Sequence, residues 1–245
     1  RATITDGGNR IWWWNYLTAR NVLTASNDED SLGFLKAHDA DYLLIVSEEI
    51  GKYPAYSLIG SDKNLDRYSV MNFFGLDKKF SQEARNGKLL VYGGGFPLQE
   101  ELVVGESKFP AGTIIVGYVV QVENVLDGEG NVIGGKINQP SLLIQTSSGN
   151  PISVKMKCIY IDKLYEFEDY DYEGCLRVIP VIQGNNIDPV GAVLFMPKRV
   201  VNSLMARLYL LEKESDYFEL FYNDYDKSSL VLYGDRLIGP TKIWK

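Results

Sequence analysis

The sequence predicts an α+β fold, with a mixed helical core and short strands formed by both chain ends and a β-rich unit inserted in the middle. Three observations lead to this prediction. Apolar residues recur at helical spacing near both ends, strand-forming runs between Gly, Pro, Asn and Asp turns fill the centre, and no repeat or low-complexity linker occurs. The expected segments are a mixed α/β core segment at 1–87, the β-rich insertion at 88–200, and the completing helix and strands at 201–245.

The N-terminal segment begins with helical spacing and continues into a strand. Residues 15–37 predict two short helices, the second of which has Asn27 or Asp28 as its N-cap. The continuous apolar run at 41–46 is rich in strand-forming residues and therefore predicts a buried strand.

A further helix is expected directly after that strand. Ser47 is its expected N-cap, and Glu48 and Glu49 favour the first turn because they oppose the positive end of the helix dipole. Pro54 lies inside this helix, where its ring removes one backbone hydrogen bond. We therefore expect a kinked helix rather than a straight one.

The middle and the C-terminal part of the chain differ in their periodicity. Strand-like runs occupy the middle at 89–92, 113–122, 141–145, 152–161 and 176–182. Residues 202–213 return to helical spacing. Three closing strands are expected at 218–222, 230–233 and 241–244.

Composition and charge exclude several classes of protein. The 245 residues contain 25 Lys and Arg against 32 Asp and Glu, and this charge of −7 argues against a nucleic-acid partner. A hydrophobic content of 45% is sufficient for a packed core. No run approaches the roughly 18 apolar residues that a membrane span needs. The first residues show neither an initiator Met nor a signal peptide, and we expect a fragment of a longer protein.

The cysteines and an acidic run are candidate sites of lower specificity. Cys158 and Cys175 are too far apart for a CxxC pattern, and their spacing leaves open whether they pair or stay free. The run 166–173 carries five carboxylates that could bind a hard cation such as calcium through oxygen atoms. It lacks the spacing of an EF-hand, and such runs are usually solvated. The residues of this weak metal candidate are Glu166, Glu168, Asp169, Asp171 and Glu173.

Three other features favour a structural role. His38 is the single histidine and precedes the predicted strand, which favours a surface or structural position. The Gly93–Gly95 triplet lacks the spacing of a phosphate-binding loop and favours a plain turn. Trp12–Trp14 could stack on sugars, but their predicted amphipathic helix favours packing against a neighbouring domain.

The most informative stretch places an acid, a base and an aromatic residue on one helix face. Glu49, Lys52 and Tyr56 stand at i, i+3 and i+7. Spacing alone favours a surface ion pair with Tyr56 packed beneath it. The alternative is a functional stripe.

At these residues the chain resembles a known family, the catalytic subunit of oligosaccharyltransferase, and is most similar to the archaeal form. The stretch beginning at Ser47, SEEIGKYPAYSLIG, is similar to the family pattern DxxKxxxM. Glu49 stands in place of the Asp, Lys52 matches, and Tyr56 replaces the Met or Ile. Further resembling stretches occur in the family's order at 1–9, 39–46, 203–212, 217–222 and 239–244.

The resemblance is to the C-terminal globular domain of that subunit and covers about half the chain. The WWDYG signature is absent, and since residues 1–9 resemble the segment that follows it in the family, the chain is expected to begin just after the signature. The β-rich middle carries no matching motif. The resemblance therefore implies a fragment that is inactive alone.

The resemblance also implies a function. The parent would be a multi-pass membrane protein with this domain on its extracytoplasmic face. It would use Mn or Mg, bound by residues outside the fragment, to transfer a glycan from a lipid-linked oligosaccharide to an acceptor polypeptide at Asn-X-Ser/Thr. Glu49, Lys52 and Tyr56 would form the pocket for the Ser or Thr hydroxyl, with Tyr56 as its apolar wall.

An alternative function comes from a different class of protein. The chain could be a secreted or surface-anchored β-rich module that binds carbohydrate or protein without catalysis. Its tryptophans or its acidic run would then form the contact surface.

Overall fold

The computed structural model describes residues 11–84, 86–127, 132–146, 149–224, 230–234 and 236–245. The segment 1–9, which contributes to the family resemblance, lies outside these residues. No helix in the described ranges has the length and apolar character needed to cross a bilayer. The helices are α1 (Trp12–Thr18), α2 (Asp28–Ala37), α3 (Ser47–Gly51), α4 (Tyr53–Ile59) and α5 (Lys198–Val201), with π-helical segments at Ala19–Leu23 and Ala206–Leu210.

Strands make up most of the remaining regular structure. In chain order they are β1 (Leu43–Ile45), β2 (Asn72–Gly75), β3 (Gln82–Ala84), β4 (Gly87–Tyr92), β5 (Phe96–Pro97), β6 (Leu102–Val104), β7 (Ser107–Phe109), β8 (Ile114–Leu126), β9 (Val132–Ile137), β10 (Ser141–Ile144), β11 (Ile152–Ile161), β12 (Lys163–Glu166), β13 (Tyr172–Gln183), β14 (Asn186–Met196), β15 (Leu220–Asn223), β16 (Val231–Tyr233), β17 (Arg236–Ile238) and β18 (Lys242–Trp244). The protein is therefore α+β, with a β-rich middle as expected.

The chain divides into two compact units. The first unit contains the residues up to Met71, Ile179–Pro189 and Met196–Lys245, and the second contains Asn72–Val178 and Val190–Phe195. The second unit thus begins at Asn72 rather than at residue 88.

Strand pairing explains both boundaries. Strand β2 pairs antiparallel with Ala192–Phe195 of β14, so β2 belongs to the second unit. At the other boundary, Val181 and Ile182 pair with Leu232 and Tyr233 of β16 in parallel. The hairpin between β13 and β14 therefore belongs to the first unit, although its residues lie within the segment 88–200 that the sequence analysis expected to form the insertion.

The first unit contains a three-stranded antiparallel sheet in the order β1, β18, β15. Ile45 pairs with Lys242 and Leu43 with Trp244. The prediction of a fully buried strand at 41–46 is wrong, because Ile45 is 1% exposed whereas Leu44 is 56% exposed. Strand β1 is an edge strand with one face in solvent.

The helical segments of the first unit differ in burial. Asn27 caps α2 by accepting hydrogen bonds from the backbone of Glu29 and Asp30, which confirms one of the two predicted caps. The predicted helix at 202–213 is irregular and contains the π-helical segment Ala206–Leu210. Leu204, Leu208 and Leu211 are buried, as their spacing predicts.

The second unit is built on the long strand β8. It pairs antiparallel with β4, β5, β9 and β10. Gly94 approaches this strand so closely that a Cβ atom would lie 2.2 Å from the carbonyl carbon of Val116. Gly94, rather than the whole triplet, is thus needed for this close backbone approach. The core rings are Phe74, Phe96, Tyr118, Tyr172 and Phe195.

A disulfide links two neighbouring strands of the second unit. Strands β11 and β13 are parallel, and Cys158 lies opposite Cys175 in their register. The two residues form a disulfide with their Cα atoms 4.6 Å apart, and both are fully buried. The sequence left open whether these cysteines pair or stay free, and in the structure they pair.

Candidate functional site

The candidate site lies where helices α3 and α4 meet. Lys52 separates them and serves as C-cap of the first and N-cap of the second, with φ −91° and ψ −2°. The expectation that this segment is not a straight helix is confirmed, but the break lies at Lys52 and not at Pro54. Pro54 stands in the first turn of α4, where a missing N–H removes no helical hydrogen bond.

The start of α3 differs from the prediction by one residue. Val46 is the N-cap and Ser47 is the first helical residue, and no side chain caps the helix. Glu48 and Glu49 do lie in the first turn. The prediction that Glu48 and Glu49 lie in the first turn is therefore confirmed. The prediction that Ser47 caps the helix is wrong.

The structure brings all three predicted site residues together. Glu49 Oε1 accepts a hydrogen bond from Lys52 Nζ at 3.0 Å. Its second oxygen, Oε2, accepts a hydrogen bond from the Tyr56 hydroxyl. One carboxylate thus bridges the ammonium and the phenol, and both of its oxygens are engaged.

Burial differs among these side chains. Lys52 is 50% exposed and Glu49 is 27% exposed. Burial, reinforced by the hydrogen bond to Glu49 and by its negative charge, raises the pKa of Tyr56 well above its usual value. Tyr56 therefore stays a neutral hydrogen-bond donor at physiological pH.

Lys52 is able to bind a further group. In the described part of the chain, Glu49 is its hydrogen-bond and ion-pair partner, and this bond uses one of three ammonium donors. The other donors face solvent. They can donate to a hydroxyl or carbonyl oxygen that arrives beside α4.

Helix α4 is held by buried polar contacts that the sequence interpretation missed. The Tyr53 hydroxyl donates to the carbonyl of Arg199 at 3.5 Å. The Ser57 hydroxyl donates to the carbonyl of Ser69 at 2.9 Å and accepts from the N–H of Ser69 at 3.2 Å. Ile50, Tyr53 and Ser57 each follow a residue of the candidate stripe and have the same spacing. This spacing could have predicted that they form the buried face of the segment.

His38 has a structural position, as the sequence suggested. Its ring lies 4.6 Å from Phe34 and 4.8 Å from Trp14, edge-on to both. Trp12–Trp14 lie on helix α1, none of whose residues is buried, and their packing against a neighbouring domain stays a prediction. Trp12 is 74% exposed and Trp13 is 43% exposed.

The weak metal candidate does not form a ligand cluster. Asp169 pairs with Lys155 at 2.6 Å, and Glu173 pairs with Lys157 at 3.0 Å. Asp171 accepts a hydrogen bond from the backbone N–H of Lys155. The residues placed by the structure contain no group of three or more His, Cys, Asp or Glu that could hold a metal ion, and Glu166 and Glu168 add no such group. Three acids of this run are instead engaged with Lys155 and Lys157 of β11.

Comparisons with known proteins give limited information. No family profile matches the sequence, and no curated protein matches it. Among solved structures, the chain is similar to the crystal structure of the C-terminal domain of PglB from C. jejuni, with a TM-score of 0.39 and 12% identity. The match covers 99% of this chain and 85% of that one.

Proposed function

We propose that this chain is the extracytoplasmic C-terminal domain of a membrane oligosaccharyltransferase, and that Glu49, Lys52 and Tyr56 form part of the pocket that receives the Ser or Thr of an Asn-X-Ser/Thr acceptor. The proposal rests on the motif resemblance at these positions. The observation that carries it is the Glu49 carboxylate, which fixes Lys52 and Tyr56 on one helix face while leaving the ammonium half exposed.

Each residue has a distinct role in this proposal. Lys52 donates a hydrogen bond to the acceptor hydroxyl oxygen. Glu49 orients Lys52 through one carboxylate oxygen and Tyr56 through the other, and acts on the acceptor through them. The Tyr56 ring supplies an apolar wall for the Thr methyl group, since its hydroxyl is turned to Glu49.

The metal ion and the glycan donor are proposed to bind elsewhere in the parent protein. The described residues form no metal-ligand group, so they do not fit the Mn or Mg of the proposed enzyme. The lipid-linked oligosaccharide would likewise bind a membrane region that precedes this domain. The isolated chain is accordingly expected to show no transfer activity.

The disulfide supports the proposed location. Disulfides between buried cysteines persist in oxidising compartments and are rare in the cytosol. The Cys158–Cys175 bond thus agrees with a domain on the extracytoplasmic face of a cell membrane.

Glycopeptide formation by membranes that carry the full-length parent tests this function. Lys52→Ala should lower kcat/KM for an Asn-X-Thr peptide by about 10- to 100-fold, since a hydrogen bond from a charged donor contributes roughly 1.5–3 kcal/mol. The loss should appear in the KM for the acceptor and not in the KM for the donor.

A matched control comes from another lysine of the chain. Lys155 is 52% exposed and forms an exposed ion pair, as Lys52 does, but in the other unit. Lys155→Ala should leave transfer unchanged. Equal transfer by Lys52→Ala and wild type would refute the assignment of Lys52.

The exposed tryptophans favour the second candidate function, a non-catalytic binding module. Trp12 at 74% and Trp13 at 43% exposure could stack on a sugar ring. A glycan array probed with the isolated chain tests this candidate. Binding that Trp12→Ala abolishes, together with no effect of Lys52→Ala in the transfer assay, would favour the module over the enzyme.

A further inference from the structure

A cavity of about 500 Å³ lies in the C-terminal part of the first unit. Its lining comes from the π-helical segment Ala206–Leu210, from strands β15 and β18, and from the connecting residues 212–219. Ligand-binding pockets of proteins have volumes of about 300 to 1,000 Å³. This cavity is therefore large enough to hold a small organic molecule. It shares no lining residue with the stripe of Glu49, Lys52 and Tyr56.

A buried ion pair fixes one side of the cavity. The side chain of Lys242 is 3% exposed, and its Nζ donates to Glu212 Oε1 at 2.8 Å and to the carbonyl of Tyr209 at 3.3 Å. The carboxylate of Glu212 thus neutralises the buried lysine within the wall of the cavity. Because these groups are held before a ligand arrives, this side of the cavity loses little conformational entropy on binding.

Three further carboxylates line the cavity. Glu214, Asp216 and Glu219 are exposed, and none of their side chains has a hydrogen bond or ion pair with another described residue. The whole lining contains four carboxylates and two lysines, which leaves an excess of two formal negative charges. The cavity therefore disfavours an anionic ligand and offers acceptors to a ligand that carries hydrogen-bond donors.

Trp244 adds a hydrogen-bond donor to this lining. The residue is only 3% exposed and lies against the cavity. Its indole N–H has no hydrogen-bond partner in the part of the chain that the structure describes. The unpartnered Oδ1 of Asn223 is closed off from solvent, whereas Nε1 of Trp244 is not. The indole N–H therefore opens on the cavity and can donate to an acceptor atom of a ligand.

The chemistry of the lining selects among classes of ligand. A metal ion does not fit, because the residues placed by the structure hold no group of three or more His, Cys, Asp or Glu suited to a metal. An organic amine could pair with the carboxylates, but an ammonium group has no lone pair for the indole N–H. A hydroxyl group both donates and accepts, so a molecule with several hydroxyls satisfies both kinds of partner.

We propose that this cavity binds a neutral sugar. Hydroxyl groups of the sugar donate to the carboxylates of Glu214, Asp216 and Glu219, and one hydroxyl oxygen accepts from the N–H of Trp244. The C–H groups of the sugar ring pack against the apolar part of the lining, which includes Phe218. The preformed wall around the buried ion pair keeps the shape of the site.

Indole NMR of the ¹⁵N-labelled chain tests the proposal. The chain has four tryptophans, and the Nε1–H signal of Trp244 is assigned by its absence in Trp244→Phe. The chain is titrated with methyl glucoside, methyl mannoside and methyl galactoside. At least one of the three should shift this signal to saturation with a Kd in the millimolar range. No saturation with any of them would overturn the proposal.

Two other probes separate the sugar from other classes of ligand. Cyclohexanol has a ring of similar size with a single hydroxyl, and 1,3-diaminopropane is a dication at neutral pH. At constant ionic strength, both should bind at least tenfold more weakly than the best glycoside. Equal or tighter binding of either probe would overturn the proposal.

A matched tryptophan variant locates the binding site. Trp244→Phe keeps an aromatic ring and removes the N–H, so the Kd should rise by about three- to tenfold, as expected for one neutral hydrogen bond. The backbone N–H signals of 218–220 report binding in this variant. Trp13→Phe is the control, because Trp13 is 43% exposed and belongs to α1. An unchanged Kd in Trp244→Phe, or a loss of binding in Trp13→Phe, would refute the cavity as the site.

A second pair of variants tests the proposal even if Trp244→Phe does not fold. Glu219→Ala removes an exposed carboxylate of the cavity, and Glu101→Ala removes an exposed carboxylate of the second unit. Only Glu219→Ala should weaken sugar binding, by about tenfold, since hydrogen bonds to charged groups are stronger than neutral ones. Equal affinity of the two variants would refute the assignment. The outcome is independent of the proposed acceptor pocket, because no glycan transfer is measured.

Discussion

The Tyr56 hydroxyl donates a hydrogen bond to Glu49 Oε2, seven residues and a helix break away along the chain. Lys52 occupies the other oxygen of the same carboxylate, so a single acidic side chain connects α3 to α4. This connection crosses the position where the helical hydrogen bonds are interrupted. The relative orientation of the two short helices therefore depends on side chains as well as on the backbone.

Replacing Tyr56 by Phe should destabilise the protein by about 1 kcal/mol, because the ring is kept and one hydrogen bond to a partly buried carboxylate is lost. Unfolding in urea measures the change. Tyr68→Phe is the control, since Tyr68 is 46% exposed and should cost less than about 0.5 kcal/mol. An equal effect of the two substitutions would show that the Tyr56 hydroxyl bond adds nothing to stability.

Replacing Lys52 by Ala should change the free energy of unfolding by less than about 0.5 kcal/mol, because half-exposed i,i+3 ion pairs contribute little. Circular dichroism during urea unfolding measures this quantity. A small change would separate any loss of function in the parent enzyme from loss of folding. A destabilisation above about 2 kcal/mol would instead assign Lys52 a mainly structural role.

Stability should fall as pH rises above about 10. Burial raises the pKa of Tyr53 to about 12 from its usual value of 10.0. The unfolded chain therefore releases this proton first, and the stabilisation present below pH 10 is lost between pH 10 and 12. The loss from Tyr53 alone should be about 1.4 kcal/mol at pH 11.

Urea unfolding between pH 8 and 11.5 measures that dependence, and absorbance at 295 nm follows tyrosine ionisation. Tyr53→Phe should flatten the curve. An unchanged pH dependence in this variant would mean that Tyr53 does not titrate differently in the folded and unfolded states.

Removing the disulfide should destabilise the second unit. Cys158 and Cys175 are separated by 17 residues, and closing a loop of this size contributes about 3 kcal/mol. Guanidinium unfolding of the Cys158→Ala, Cys175→Ala double variant measures the effect. Wild type whose disulfide has been reduced in the unfolded state should have the same guanidinium midpoint as the variant. Midpoints equal to that of oxidised wild type in both cases would contradict the expectation.

The candidate site was predictable because helical spacing is local. Lys52 keeps dihedral angles of φ −91° and ψ −2°, in the right-handed helical region, so the side chains at 49, 52 and 56 still meet although the helix breaks at Lys52 and not at Pro54. The contacts that hold α4 were not predictable, because Tyr53 and Ser57 bond to Arg199 and Ser69. Sequence periodicity does not identify such distant partners.

The fold class also follows from local periodicity, but the unit boundaries do not. The run at 41–46 is apolar, yet β1 lies at a sheet edge and exposes Leu44. Periodicity marks strand-forming segments but does not show which strand becomes an edge. Likewise, β2 joins the second unit through pairing with β14, a partner more than a hundred residues away.

The strand order of the small sheet has a consequence for folding during synthesis. Strand β18 lies between β1 and β15 and is made after every other strand of its unit. Strand β1 therefore leaves the ribosome without its hydrogen-bonding neighbour and must wait for about two hundred residues to follow. Most of the second unit is continuous from Asn72 to Val178 and can fold during that interval. The segment that carries Lys52 is thus made well before β18 and is among the last parts of its unit to reach its final environment.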